Sequence, residues 1–374
     1  MKLIKTYIAT LTALVLSYPS IAAETLLLTP HLQGMDNFRD VAGTTAAYAT
    51  SQGGEMRQGV FYRSNALTPT ASDLNVLNGL RINKVIDLRT DDEIAKIPDT
   101  LPSGARYIHV DIIGTASSGA INSTLAGMTP EDINSMMEQV ERDFVTSDYS
   151  RQGFGQVLRE MASAENAALF HCTAGKDRTG WTAALLQSIA GVDRSTIFED
   201  YLATNDYTAE RISATLAALP PALQPSYAQL MSVQASWLQA GFDQITQSYG
   251  SLDNYLKQGL GLDQATIYAL RGKMVRYRQL PSESSLSGNG ASGASLLNAL
   301  QDSPLSGRYT QYNYYLQSAI DRGTLGGVEK RVGGQVHADA QSYLLRQISQ
   351  IDDTIAPWAV GDRLLPGEST VWLS

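Results

Sequence analysis

Residues 171–180 read HCTAGKDRTG and contain Cys172, the only cysteine among 374 residues. The preceding AALFH (167–171) is an apolar run with the character of a buried strand. The following RTGWTAALLQSIAGV (178–192) has an apolar helical face and a stop signal at Gly191. A loop between a strand and a helix N-terminus turns its backbone N–H groups inward and forms a nest for an anion. Gly175 lets the chain turn tightly enough for the N–H groups of Thr173, Ala174, Gly175 and Lys176 to converge. The same field stabilises a thiolate on Cys172. Five residues on, Arg178 presents a planar fork to two oxygens of a tetrahedral oxyanion, and Thr179 is placed to hydrogen-bond the sulfur. A thiolate beneath a bound phosphate, opposite an arginine, is equipped for in-line phosphoryl transfer through a cysteinyl-phosphate.

Outward from this loop the chain alternates. GVFYRS (59–64), KVIDL (84–88) and ARYIHVDII (105–113) read as strands; PTASDLNVLNGL (69–80) and GFGQVLREMASA (153–164) read as helices. Such alternation predicts an α/β fold with a central, mostly parallel sheet flanked by helices. Residues 115–153 are small and polar, then helical, and fit either a lid over the site or a surface helical excursion. Helices follow over 194–278, broken by ALPPALQPS (217–225). The Ser/Gly-rich 281–296 reads as a flexible linker between a catalytic-sized unit at 24–280 and a helical tail at 297–374.

Composition narrows the function. A net charge of −9 and a pI near 5.0 exclude a general nucleic-acid or anionic-membrane binder, so an anion site has to be local. Lys2 and Lys5, the apolar YIATLTALVL and the small-residue SYPSIAAE predict a signal peptide over 1–23. No second long apolar run follows, so the expectation is an exported, periplasmic or secreted protein without a transmembrane helix in the mature chain. A lone cysteine makes no internal disulfide, which points to reactivity at Cys172. The four histidines, at 31, 109, 171 and 337, have no ligand spacing, and no metal or other cofactor is expected. Asp91, Asp92 and Glu93 read as a solvated helix start.

The loop resembles the His-Cys-x5-Arg-Ser/Thr signature of the cysteine-dependent protein tyrosine phosphatase superfamily. NFRDVAG (37–43), FYRSNAL (61–67), VIDLRTDDEIAKIPD (85–99), HCTAGKDRTGW (171–181) and GVDRSTIFEDYLATN (191–205) follow in that order. Together they resemble the bacterial tyrosine phosphatases that open with Asn-Phe-Arg-Asp, which act on phosphotyrosine and often on phosphoinositides. The likeness covers about residues 30–278 and implies Cys172 as nucleophile and Arg178 as phosphate clamp. It also implies helices that cover the site, which favours the lid reading of 115–153.

The chain has no Trp-Pro-Asp acid loop. The resemblance implies Asp177 as proton donor, with Asp99 in reserve and a structural acceptor as its other reading; a phenolate leaving group, of pKa about 10, asks for less protonation than an alkoxide. Lys176 resembles loop lysines of lipid phosphatases that meet extra inositol phosphates. His171 is expected to hydrogen-bond the Cys172 carbonyl. Asp40 is carried as a substrate-contact candidate that either reaches the pocket rim or pairs with Arg39, while Arg63 and Asp87 are expected to support the loop from within. Arsenate reduction on such a loop needs further cysteines, and the chain has none. A non-catalytic phospholigand-binding module is the other alternative. In the tail, GGQVHADAQSYLLRQISQ (333–350) resembles the stretch before autotransporter barrels, with Trp372 at a first strand. It makes the tail a candidate for outer-membrane association, and a small helical interaction module is the alternative.

Overall fold

The computed structural model describes residues 29–114, 127–302 and 310–330. The signal-peptide reading, the first part of the lid segment and the 333–350 stretch lie outside them.

Eight strands occur among the described residues. Five form one sheet in the order β1 (Arg39–Asp40), β4 (Phe61–Ser64), β7 (Ala167–His171), β5 (Ile82–Asp87), β6 (Arg106–His109). The β4–β7, β7–β5 and β5–β6 pairs are parallel, and only β1 joins antiparallel. This is the expected α/β fold with a mostly parallel sheet. Strands β2 (Ala49–Thr50), β3 (Gly54–Met56) and β8 (Val275–Tyr277) make a small antiparallel sheet beside it.

AALFH is apolar throughout because β7 is central: all five of its residues are buried. Its C-terminal end delivers Cys172 into the loop, and the Arg178–Ala190 helix leaves from the far side. In open parallel sheets that end of the strands is where ligands bind. The helix closes at Gly191, which adopts the left-handed conformation (φ 83°) that the sequence stop signal requires. Trp181, in the first turn, is buried against Phe242 and Tyr255 and anchors the helix to the all-helical half of the chain.

Two helices, Pro130–Thr146 and Asp148–Ala162, lie between β6 and β7. The second begins five residues earlier than expected, capped by the Ser147 side chain. The first packs on the Ala235–Tyr249 helix, where Trp237 Nε1 donates to Asn134 Oδ1 at 2.7 Å.

The expected linker is a correction. Residues Gly288–Leu300 form a helix that buries Gly290, Gly293, Ala294 and Leu297, one face at helical spacing. Gln301 then exchanges hydrogen bonds with Tyr277, and the Thr310–Arg322 helix follows, with Gln317 accepting from the Tyr277 hydroxyl. Small residues here serve close packing rather than flexibility. No helix among the described residues is long and apolar enough to cross a membrane.

Candidate active site

The loop after β7 is tied down by its carbonyls. Ala66 N donates to Thr173 O at 3.1 Å, and Asn37 Nδ2 donates to Ala174 O at 3.0 Å and Gly175 O at 2.9 Å. Arg63 Nη2 also donates to Gly175 O at 3.0 Å. Lys176 O and Asp177 O accept from Gly180 N and Trp181 N inside the first helical turn. By contrast, none of the N–H groups of residues 173–178 donates to an acceptor among the described residues. A loop whose carbonyls are claimed from behind and whose N–H groups are free is an anion nest. Gly175 makes it possible: its φ is +71°, and a Cβ there would stand 2.6 Å from Ser64 O and 2.7 Å from Asn65 N.

The Asn-Phe-Arg-Asp stretch supplies the support. Arg39 and Arg63 are fully buried and share Asp200, at 3.4 and 3.0 Å. Tyr48 donates to the same carboxylate at 3.1 Å, and Arg39 also donates to Asp200 O and Thr204 Oγ1. Two guanidinium groups and one carboxylate satisfy one another in the interior, at the cost of desolvating all three. The arrangement fixes Asn37 and Arg63 against the loop. Asp200 therefore explains why FEDY belongs with the upstream motifs.

Asp40 is not at the pocket. It is 1% exposed, sits opposite Tyr62 below the strand ends, and accepts from Ala42 N at 2.8 Å and Gly59 N at 2.5 Å. Burial pushes its carboxyl up to about 7. Side chains alternate along a strand, so Arg39 and Asp40 face opposite ways, and only Arg39 serves the loop.

Cys172 is 2% exposed. Its sulfur lies close enough to Arg178 and Arg63 that a thiolate there would favour the charged form of both guanidinium groups. His171 Nδ1 lies 3.3 Å from Cys172 O, the expected contact, and Nε2 lies 3.1 Å from Asp99 Oδ2. Asp99 Oδ2 also takes Arg89 Nη2 at 2.7 Å, and Oδ1 accepts from Leu67 N. Asp99 is thus a buried strut and not a proton donor, which removes the reserve candidate. Asp87, Asp99 and His171 bring possible ligand atoms within 4.8 Å of one another. Arg89 Nη2 is 2.7 Å from both carboxylates and stands where a cation would.

Arg178 uses its guanidinium in two halves. Nη1 donates to Glu93 Oε2 at 2.7 Å and to Leu88 O at 3.2 Å, and Nη2 donates to Glu93 Oε1 at 2.6 Å. Of five N–H donors, the Nε–H and one Nη2–H remain, side by side on one edge. That edge is a bidentate fork for an oxyanion. Glu93 also accepts from Thr173 Oγ1 at 2.6 Å, so it holds both ends of the loop.

The solvated-start reading of Asp91–Glu93 is thereby corrected for Glu93. Burial pushes its carboxyl up, but Arg178, the Thr173 hydroxyl and the Thr90 amide outweigh burial and hold it at about 2 against an ordinary 4.5. A depressed carboxylate contributes stability that is present above 4.5 and lost as pH falls toward about 2. Glu93→Gln removes that window. Between ~pH 6 and ~pH 3 the variant is expected to lose up to about 2 kcal/mol less stability than the wild type, read by denaturant unfolding. An unchanged acid-side slope would contradict the assignment.

Lys176 is buried. It is 7% exposed, donates to Asp177 Oδ1 at 2.8 Å, and places Nζ 4.9 Å from the centre of the Trp237 ring. Asp177 begins the helix without capping it, its side chain partly open to solvent. Thr179 Oγ1 is fully buried with no hydrogen-bond partner, so the expected bond to sulfur is not made. Sequence reasoning does not single out Asn37 or Asp200 and reads Glu93 only as part of a solvated helix start, although each stands inside a motif that it does single out.

A model of the tyrosine phosphatase family matches residues 30–276. A Cupriavidus necator protein named for tyrosine-protein phosphatase activity is 33% identical over 243 residues, which cover 62% of this chain and 84% of that protein. The triple specificity protein phosphatase PtpB of Mycobacterium tuberculosis is 30% identical over 280 residues, 65% of this chain and 98% of its own. A tyrosine-protein phosphatase of Nostoc commune is 29% identical over 218 residues, 55% of this chain and 70% of its own.

Proposed function

The chain belongs to the tyrosine phosphatase family, and we propose that it hydrolyses phosphotyrosine through a cysteinyl-phosphate on Cys172. The observation that carries this reading is the nest at 173–178, with the free Arg178 edge beside the Cys172 thiol. The N–H groups and the Arg178 fork hold three phosphate oxygens and take up the charge that spreads over them in the transition state. The Cys172 thiolate attacks phosphorus in line; the S–P bond forms as the P–O bond to tyrosine breaks. Asp177 gives its proton to the departing phenolate. In the second step the Asp177 carboxylate takes a proton from water as the oxygen attacks phosphorus. The S–P bond breaks, phosphate leaves, and the thiolate returns.

The range of substrates is wider in this proposal. PtpB is named for triple specificity, which supports phosphoserine, phosphothreonine and phosphoinositides as additional substrates here. Lys176 favours an additional phosphate on the substrate only if it exchanges Asp177 for that group. The predicted signal peptide supports an exported enzyme, periplasmic or secreted, and the tail supports outer-membrane association; fractionation of cells making the full chain tests both.

Phosphate release by the full chain from phosphotyrosine peptide, phosphoserine peptide and singly phosphorylated phosphoinositides tests the substrate reading. Release from the tyrosine peptide is expected, at the highest kcat/KM of the three. Tight binding of all three without release would instead assign a phospholigand-binding module.

A further inference from the structure

A cavity of about 260 Å³ opens at the C-terminal end of the Arg178–Ala190 helix, the end away from the phosphate loop. Val192, Ile197, Phe242 and Ile245 are buried in its walls, and Leu252 is half-buried at its side. Helical spacing puts them there. Arg194 and Ile197 are one turn apart on the Arg194–Leu202 helix, and Phe242, Ile245 and Thr246 share a face of the Ala235–Tyr249 helix. The lining hydroxyls are occupied: Ser188 Oγ and Thr246 Oγ1 donate to Ala184 O and Phe242 O in their own helices, at 2.6 and 3.2 Å. Arg194 is different. Its guanidinium carbon lies 4.1 Å from the centre of the Phe242 ring and 5.5 Å from that of Phe198. Among the described residues that guanidinium makes no hydrogen bond and no ion pair. Asp193, beside it in the chain, does not cap the helix, and Asp243 accepts from Gln239 Nε2 at 2.6 Å.

A guanidinium laid on an aromatic face is held through its plane and keeps its in-plane N–H groups for another partner. Arg194 therefore offers an unfilled fork at the mouth of a cavity with aliphatic and aromatic walls. We propose that this cavity binds an amphiphilic monoanion, a medium-chain fatty acid whose carboxylate takes the Arg194 edge and whose alkyl chain lies against Val192, Ile197, Ile245 and Leu252. Charge and size select this class. One unpaired cation meets one anionic group, and a carboxylate fits the fork in two parallel hydrogen bonds. The protons of Ser188 and Thr246 are spent, so nothing along the walls calls for a polar chain. A bare inorganic anion would leave those walls in water, and a hydrocarbon without a head group would leave the fork empty. An apolar cavity of about 150 Å³ holds benzene, roughly 25 Å³ for each non-hydrogen atom. At that ratio 260 Å³ takes about ten such atoms, the size of octanoate. The site has no residue in common with the phosphate loop and stands whether or not the loop turns over phosphate.

The test titrates the methyl-labelled full chain with butanoate, octanoate and octanol, followed by NMR. Octanoate is expected to bind saturably with a Kd of about 1 mM or tighter, and about tenfold or more tighter than butanoate. It should move the methyl signals of Val192, Ile197, Ile245 and Leu252 and leave those of Ile82 and Val85, which lie in the other core cluster, in place. Octanol, which has no charge for the fork, is expected to bind about tenfold more weakly than octanoate, and Arg194→Met should weaken octanoate by a similar factor. Arg194 is exposed, so that variant leaves the core intact, and the comparison of the three ligands needs no variant at all. Saturating inorganic phosphate should change the octanoate Kd less than about twofold. Any one of five results overturns the proposal: no saturable shift; octanol bound as tightly as octanoate; an unchanged Kd in Arg194→Met; shifts that extend equally to Ile82 and Val85, the mark of non-specific uptake; or displacement by phosphate, which would put the carboxylate in the phosphate loop.

Discussion

Cys172→Ser is expected to reduce phosphate release by about 10⁵-fold or more and to leave the protein folded. The substitution is nearly isosteric in a site only 2% exposed, so packing changes little. What it removes is the proposed nucleophile. A serine hydroxyl needs a base to take its proton, and the nearest imidazole is occupied: His171 Nδ1 faces Cys172 O, and Nε2 faces Asp99. The N–H groups of residues 173–178 and the free Arg178 edge are untouched. The variant should therefore still bind phosphotyrosine peptide, measured by calorimetry, while turnover disappears. Loss of binding together with turnover would mean that the sulfur also holds the loop open. Retained turnover would place the nucleophile elsewhere.

Arg178→Lys is expected to cost about 10³-fold in kcat/KM, mostly in kcat. Lysine keeps the charge and loses the fork. Three of the five arginine donors are spent on Glu93 and Leu88 O, and that grip orients the remaining pair toward phosphate. A lysine ammonium can satisfy Glu93 or the phosphate but cannot form both planar contacts. Glu93, held at about 2 by the arginine, would draw the ammonium away from the substrate. A variant whose kcat is within tenfold of wild type would show that charge alone suffices and that the two-edged geometry is incidental.

The loop was legible because its signal is local. An apolar run, a glycine, Arg178 at the sixth position after Cys172 and a helix stop at Gly191 all lie within about 25 residues, and β7 begins and ends where AALFH does. The parallel sheet followed from alternation. What escaped is long-range. TDDE at 90–93 reads as a capping box, and Thr90 and Glu93 do form one. Nothing in that tetrapeptide says that the Glu93 side chain also reaches Arg178, 85 residues on. Asp40 was misread because strand alternation had not been applied to Arg39–Asp40. The 281–296 stretch was misread by composition, although Gly290, Gly293, Ala294 and Leu297 share one helical face.

The most direct measurement is rapid acid quench of the wild-type chain during turnover of phosphotyrosine peptide, followed by mass spectrometry of the peptide that carries Cys172. A single phosphoryl group on Cys172, appearing within the first turnover and absent from Cys172→Ser, is the predicted result. Phosphate released with Cys172 never modified, or a phosphoryl group found on another residue, would contradict the account.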